Sequence, residues 1–168
     1  MLIFSDARCF GRLELCSDFR KHRAIKALGP DGLDAVRNRN RFMFYCERRK
    51  RPIKQMLLDQ SVIAGIGNIY ASEILFQAGI SPFSPSCELS LKQHEKLAQA
   101  MVDILSLAIE KNGTSISDYK RVDDKTGEFQ DFLKVYGKEK ESCQRCGNPI
   151  QRRVQNQRSS FFCANCQC

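Results

Sequence analysis

Ala64-Gly65-Ile66-Gly67-Asn68-Ile69-Tyr70 joins two apolar helical patterns through a pair of glycines, with a basic run just upstream. Glycine lets the main chain approach a ligand closely and adopt positive φ. The first free N–H groups of the helix that follows, at its positive dipole end, favour an anion. Asn68 stands where an N-cap belongs. The turn reads as a backbone cradle for a phosphate, and the same letters also describe a tight connection between packed helices. The flanking chain has to decide between the two.

Upstream, Pro52 leads into Ile53-Lys54-Gln55-Met56-Leu57-Leu58, with Ile53, Met56 and Leu57 on one face. Downstream, Ile69, Ile74, Leu75 and Ala78 form an apolar stripe that Gly79 ends. The product is helix, two-glycine turn, helix. A third helix is predicted from about Leu91 to Lys111, opened by a Ser90/Gln93 capping box and closed by Asn112-Gly113. Leu97, Met101, Ile104, Leu105 and Ala108 share its inner face and are assigned to the core. Residues 19–48 are mainly helical in pattern, interrupted by Leu28-Gly29-Pro30-Asp31-Gly32. Thr114 to Phe129 is polar and reads as a mobile loop, long enough to carry a function. At the amino end, Met1–Phe4 and the alternating Arg12–Cys16 read as two short strands, too few for a stable sheet.

Charge sharpens the phosphate reading. Arg41, Arg48, Arg49, Lys50, Arg51 and Lys54 stand against Glu47 alone. Lys138, Lys140, Arg145, Arg152, Arg153 and Arg158 stand against Glu139 and Glu141. These two clusters more than account for the net charge of +8, so the rest of the chain is close to balance. Two local basic regions point to a polyanion touched at two places rather than to a uniformly solvated surface. No strongly amphipathic basic helix accompanies them, which disfavours a membrane surface, and no run of about 18 apolar residues spans a bilayer. The first residues lack a charged region followed by an apolar core, so a cytoplasmic protein is expected. With 168 residues and 42% hydrophobic content, the chain is enough for one moderate domain or two small ones.

The nine cysteines divide unevenly. Cys9, Cys16, Cys46 and Cys87 are scattered among apolar neighbours and are expected to be small buried hydrophobes. Cys143-Gln144-Arg145-Cys146 and Cys163-Ala164-Asn165-Cys166 enclose 16 residues, the spacing of two knuckles that deliver four thiolates to one structural zinc. No βαβ pattern surrounds them, as a redox CxxC motif would have. Cys168 is a fifth thiol, and exchanging it for Cys166 would break the symmetric spacing. Between the knuckles, Ile150–Val154 and Ser159–Phe162 are predicted to form a hairpin with Gln155-Asn156-Gln157 at its tip. Four thiolates close the site to catalysis by the metal, so the zinc holds the hairpin and the hairpin presents Arg158.

Taken together, these stretches resemble the bacterial formamidopyrimidine-DNA glycosylase and endonuclease VIII family. The resemblance is carried by Asp6-Ala7-Arg8-Cys9-Phe10-Gly11, Leu28-Gly29-Pro30, Ile53-Lys54, Gly65 to Glu73, Gly113-Thr114, Val135-Tyr136-Gly137 and Gln157 to Cys163 between the zinc knuckles. Tyr136-Gly137, the loop before it and the Arg8/Phe10 pair are more like the oxidised-purine branch. The resemblance implies a mostly α fold, a helix-two-turn-helix domain at 17–137, followed by a small β-hairpin zinc finger at 138–168. Residues 1–16 would be a remnant of the family's amino-terminal β-sandwich.

It further implies that Asn68 binds a backbone phosphate beside the lesion and that Arg158 contacts phosphate and serves the late elimination step. Arg8 and Phe10 would fill the gap left by an extruded nucleotide, a device that offsets the cost of unstacking. Arg49 matches a DNA-contacting position, Lys54 and Glu73 fall near the family's active site, and the 114–129 loop resembles the one that folds over the flipped base. The implied partner is damaged double-stranded DNA, bound by a monomer, with the nucleoid as the place of work. The family's own chemistry begins with a proline amine that attacks the sugar and an adjacent glutamate, whereas this chain begins Met1-Leu2-Ile3. Cys9 stands where a second arginine is usual.

Three readings are compatible with this sequence. The first is the DNA-binding carboxy-terminal part of an oxidised-purine (formamidopyrimidine, 8-oxoguanine) glycosylase/AP lyase, without the catalytic pair. The second is an active enzyme with the missing half supplied in trans or another amine recruited. The third is a zinc-ribbon interaction module, which leaves the Asn68 turn and Arg8/Phe10 unexplained.

Overall fold

The computed structural model of the protein describes residues 11–114 and 127–167. Among them, five α-helices are followed by one two-stranded antiparallel sheet: α1 (Arg23–Lys26), α2 (Arg39–Glu47), α3 (Ile53–Leu57), α4 (Asn68–Ala78), α5 (Leu91–Glu110), β1 (Gln151–Gln155) and β2 (Arg158–Phe162). This is the mostly helical body with a hairpin finger that the sequence predicts.

The long helix α5 forms where the 3.6-residue apolar pattern is strongest. Ser90 Oγ accepts the Gln93 amide while Gln93 Oε1 accepts the Ser90 amide, a reciprocal capping box. Its Leu97, Met101, Ile104, Leu105 and Ala108 are all buried, in one core with Ile74 and Leu75 of α4 and Ile53, Met56 and Leu57 of α3. Helix α4 ends at Gly79, whose φ of 71° makes the left-handed C-cap.

The Leu28-Gly29-Pro30 stretch braces the two-glycine turn from behind. Gly29 N–H donates to Gln60 O, Ala64 N–H to Pro30 O and Gly32 N–H to Ala64 O. At Gly29 a Cβ would lie 2.6 Å from the Val62 carbonyl, so only glycine allows this approach.

A second, smaller core joins α4 to the finger: Phe76, Val135, Cys143, Ile150 and Cys163. Phe76 is the residue by which the helical body enters it. The hairpin turns on Asn156 and Gln157, with φ of 46° and 60°. Two central residues with positive φ match the right-handed twist of the strands, so the tip is two residues, with Gln155 paired to Arg158 inside the ladder.

Several expectations are corrected. Arg12–Cys16 forms no strand: no partner pairs with it among the described residues, and Leu13 and Leu15 stand exposed. The other expected strand, Met1–Phe4, lies outside the described residues, as does Cys9. Cys46 is buried as expected, but Cys16 is exposed and Cys87 half-buried. The N-cap of α4 is Gly67 rather than Asn68, because the Asn68 amide is turned across to the hairpin instead of back onto its own helix. Residues 115–126, most of the expected loop, lie outside the described residues.

Candidate nucleic-acid interface

The two-glycine turn leaves its outer side open. Gly65 has φ of 89°, and a Cβ added at Gly65 or Gly67 would meet none of the described residues within 4 Å. Among the described residues no side chain caps α4, and the first N–H groups of a helix have no intrahelical acceptor. Behind the turn, the Gln60 side chain holds it in shape, donating to Ile66 O and accepting the Gly65 N–H.

The carbonyl of Ser159 ties this turn to the finger. It accepts from Asn68 Nδ2 at 3.1 Å and from Lys54 Nζ at 2.9 Å. Lys54 Nζ also donates to Ser160 Oγ at 2.9 Å. One strand residue thus gathers α3, α4 and β2, and the residue before it is Arg158. Among the described residues Asn68 Oδ1 is buried without a partner, and Nδ2 has a second proton beyond the one given to Ser159.

Lys54 is 1% exposed. Burial, and then the nearby charge of Arg158, pull its pKa down to about 8. Among the described residues its ammonium has two oxygen acceptors, one fewer than its protons allow. Arg158 is exposed and lines a cleft of about 180 Å³ with Lys54, Arg51, Gln55, Asp59, Gln155 and Asn156. Within it, Arg51 Nη1 pairs with Asp59 Oδ2 at 3.0 Å. The Ser61 hydroxyl and then Arg51 hold the Asp59 carboxyl below its usual range. Asp59 is the one carboxylate among three cationic side chains in this lining, so the cleft has positive charge to spare for an anion.

The other predicted residues fall as follows. Arg49 lies with its guanidinium 5.5 Å from the Tyr45 ring centre, and its carbonyl accepts the Ser86 hydroxyl at 2.7 Å. Glu73 is buried inside α4, and its carboxylate accepts the backbone amides of Lys134, Val135 and Tyr136 at 2.9, 3.0 and 2.8 Å. It organises the strap that enters the finger. Arg8 and Phe10 lie outside the described residues.

The four cysteines converge. The sulfurs of Cys143, Cys146, Cys163 and Cys166 all lie within 4.8 Å of one another, with Cys143–Cys166 at 3.9 Å and Cys146–Cys163 at 3.4 Å. Zinc–sulfur bonds of about 2.3 Å set tetrahedral edges of about 3.8 Å, so the four thiolates fit one zinc ion and close its coordination. The Arg145 amide and the Asn148 side chain donate to the sulfurs of Cys143 and Cys146, an outer shell that stabilises thiolates. This is a structural zinc site. Cys168 lies outside the described residues.

Sequence reading misses the Ser159 carbonyl, because a backbone acceptor leaves no letter behind. It also misses Glu73 as an anchor. A carboxylate embedded in the apolar stripe of α4 is the available signal, since buried charge calls for partners.

Comparisons with known proteins agree with this geometry. Residues 28–120 match the family described as the formamidopyrimidine-DNA glycosylase H2TH domain, and residues 140–167 the zinc finger found in FPG and IleRS. Among relatives, the formamidopyrimidine-DNA glycosylase of Xanthomonas oryzae pv. oryzae (strain PXO99A) is 40% identical over 167 residues, 99% of this chain and 62% of the relative. The crystal structure of the MutM (Fpg) protein of Thermus thermophilus superposes with a TM-score of 0.88 at 39% identity, over 96% of this chain and 62% of that one. A Lactococcus lactis Fpg in complex with abasic-site-containing DNA superposes with a TM-score of 0.78 at 35% identity, over 84% of this chain and 52% of that one. The chain therefore spans 62% of the length of the curated relatives it matches. Among the described residues, no helix is long and apolar enough to cross a membrane.

Proposed function

The chain belongs to the formamidopyrimidine-DNA glycosylase family, and from that premise we propose that it supplies the DNA-gripping part of a base excision repair glycosylase/AP lyase acting on oxidised purines. Damaged duplex DNA is its partner, bound by a monomer in the cytoplasm, at the nucleoid. Residues 17–137 form the helix-two-turn-helix unit, 138–168 the zinc finger, and 1–16 the segment that brings Arg8 and Phe10 to the gap left by an extruded nucleotide.

The observation that carries this reading is the Ser159 carbonyl held jointly by Asn68 and Lys54. It gives the open glycine turn and the arginine of the zinc finger a common mount, which is what gripping one sugar–phosphate backbone at two points requires. Asn68 offers its remaining amide proton and the α4 N-terminus its free N–H groups, both suited to a phosphate oxygen. Arg158 offers a planar fork and Arg49 a second cation along the strand. Lys54 holds the mount and adds charge beneath it, and Glu73 keeps the strap into the finger in place. The zinc supplies rigidity. The attacking amine of the family's chemistry is not assigned to any residue of this chain; its residues orient the strand and hold the damaged nucleotide's phosphates.

The test is the salt dependence of binding to a duplex carrying an abasic-site analogue. Each neutralised phosphate contributes about −0.9 to the slope of log affinity against log salt. Arg158→Ala is expected to make that slope shallower by about one. Asn68→Ala is expected to weaken binding with little change in slope, since it removes a neutral donor. Affinity indifferent to salt refutes the proposal.

A further inference from the structure

The zinc finger is attached to α4 at both ends of the helix, and only the attachment at the N-terminal end belongs to the DNA grip. At the other end, Arg145, between the first two zinc ligands, donates from Nη1 to Phe76 O at 2.7 Å and from Nη2 to Gln77 O at 3.3 Å. Its guanidinium lies 4.2 Å from the Phe76 ring centre. Phe76 O also accepts the Gly79 amide at 3.1 Å, but a carbonyl has two lone pairs and the last carbonyls of a helix carry its negative dipole end, so a forked cation is well matched to them. Gln167 adds a second tie, donating to Ile80 O at 2.9 Å while accepting the Cys163 amide at 2.9 Å.

Helix α4 has 11 residues, so these ties lie roughly 15 Å from the Ser159 junction. A rigid hairpin held at one point pivots about it; held at two points that far apart, it has a fixed direction. The direction matters for Arg158. No hydrogen bond or ion pair holds its guanidinium among the described residues, and the charge of nearby Lys54 repels it. Its aim is therefore set by the hairpin and not by a contact of its own.

We propose that Arg145 is a positioning residue for DNA binding, capping the C-terminal carbonyls of α4 so that the zinc hairpin points Arg158 at the same strand as Asn68. The inference rests on the reading of Arg158 as a phosphate contact.

A double-mutant cycle tests it on the zinc-loaded full chain, with a duplex bearing an abasic-site analogue as probe. Arg158→Ala is expected to weaken binding on the order of tenfold, as for the loss of a charged hydrogen bond. Arg145→Ala is expected to weaken it several-fold and to make the salt slope shallower by up to one, while retaining one zinc per chain. The double variant is expected to bind no more weakly than Arg158→Ala, because a misdirected Arg158 has little left to lose. Arg145→Lys, which can reach one of the two carbonyls, is expected to recover part of the affinity. Should Arg145→Ala lose its metal, Arg145→Met, which keeps a stem over Phe76 and drops the fork, carries the same comparison.

Full additivity, or unchanged affinity and slope in the Arg145 variants beside a weakened Arg158→Ala, overturns this inference alone. An Arg158→Ala protein that binds like wild type overturns the phosphate reading, and this inference with it.

Discussion

Lys54→Met removes a buried ammonium while leaving a stem of similar length in its place. In the folded protein, burial and then Arg158 bring the Lys54 pKa down to about 8, against 10.5 for an unperturbed lysine. Below pH 8 both folded and unfolded chains carry the proton, and the folded state bears the whole cost of the buried charge. Between about pH 8 and 10.5 the unfolded chain still holds a proton that the folded chain has released. Unfolding free energy therefore rises with pH across that window, by about 1.4 kcal/mol per pH unit and on the order of 3 kcal/mol in all. Cys46, raised to about 12 by burial, works in the opposite direction above pH 9, since its folded thiol keeps a proton that the unfolded chain loses. That contribution is common to both proteins and cancels in their difference.

The assay is urea unfolding of zinc-saturated wild type and Lys54→Met from pH 7 to 10.5, with the Lys54 ¹³Cε shift followed directly in the wild type. The expected result is a wild-type stability that gains on the variant as pH rises through the window, with a titration midpoint near 8. Parallel stability curves, together with a midpoint at the ordinary lysine value, refute the description of Lys54 as a desolvated cation. A DNA phosphate in the cleft would restore the proton, so affinity is also expected to fall as pH rises through 8.

Chelating the zinc is expected to unfold residues 143–167 and sharply reduce DNA affinity, because the metal's binding energy, on the order of 10 kcal/mol, is folding energy for so small a hairpin. Circular dichroism and the same DNA titration check this, and undiminished affinity in metal-free protein counts against a shared grip. Glu73→Gln is expected to destabilise the fold by about 2–4 kcal/mol, because three amides aimed at a carboxylate would meet one carbonyl and an amide group that repels them. Urea unfolding measures the loss, and a change under about 0.5 kcal/mol would contradict the anchor role.

What the sequence makes legible is periodicity and spacing. Helix α5 can be read from its apolar face and capping box because each is a local, letter-by-letter pattern. The zinc site can be read because four thiolates at two fixed intervals have few other uses. The N-terminal strand reading fails at Arg12–Cys16 because alternation describes one side of a pairing and says nothing about whether a partner strand exists. Asn68 is legible as part of the right turn but not in its local role. Its competition between capping its own helix and reaching Ser159, 91 residues away, is decided by tertiary packing. Arg145 reads as one charge in a basic cluster, although its guanidinium is engaged at the surface by the last carbonyls of α4.

The Ser159 junction has a consequence for how such a protein tolerates change. Both Asn68 and Lys54 address a main-chain oxygen, so the contact is written in the register of the hairpin, where Val154 faces Ser159, and not in the identity of residue 159. An alanine scan would pass over it, recording at that position only the separate hydroxyl contact to Arg152. An ester in place of the peptide bond after Ser159, which weakens the oxygen as an acceptor, or a one-residue insertion at the Asn156-Gln157 tip would expose it at once. Side-chain substitution is free to drift there so long as the length of the hairpin does not.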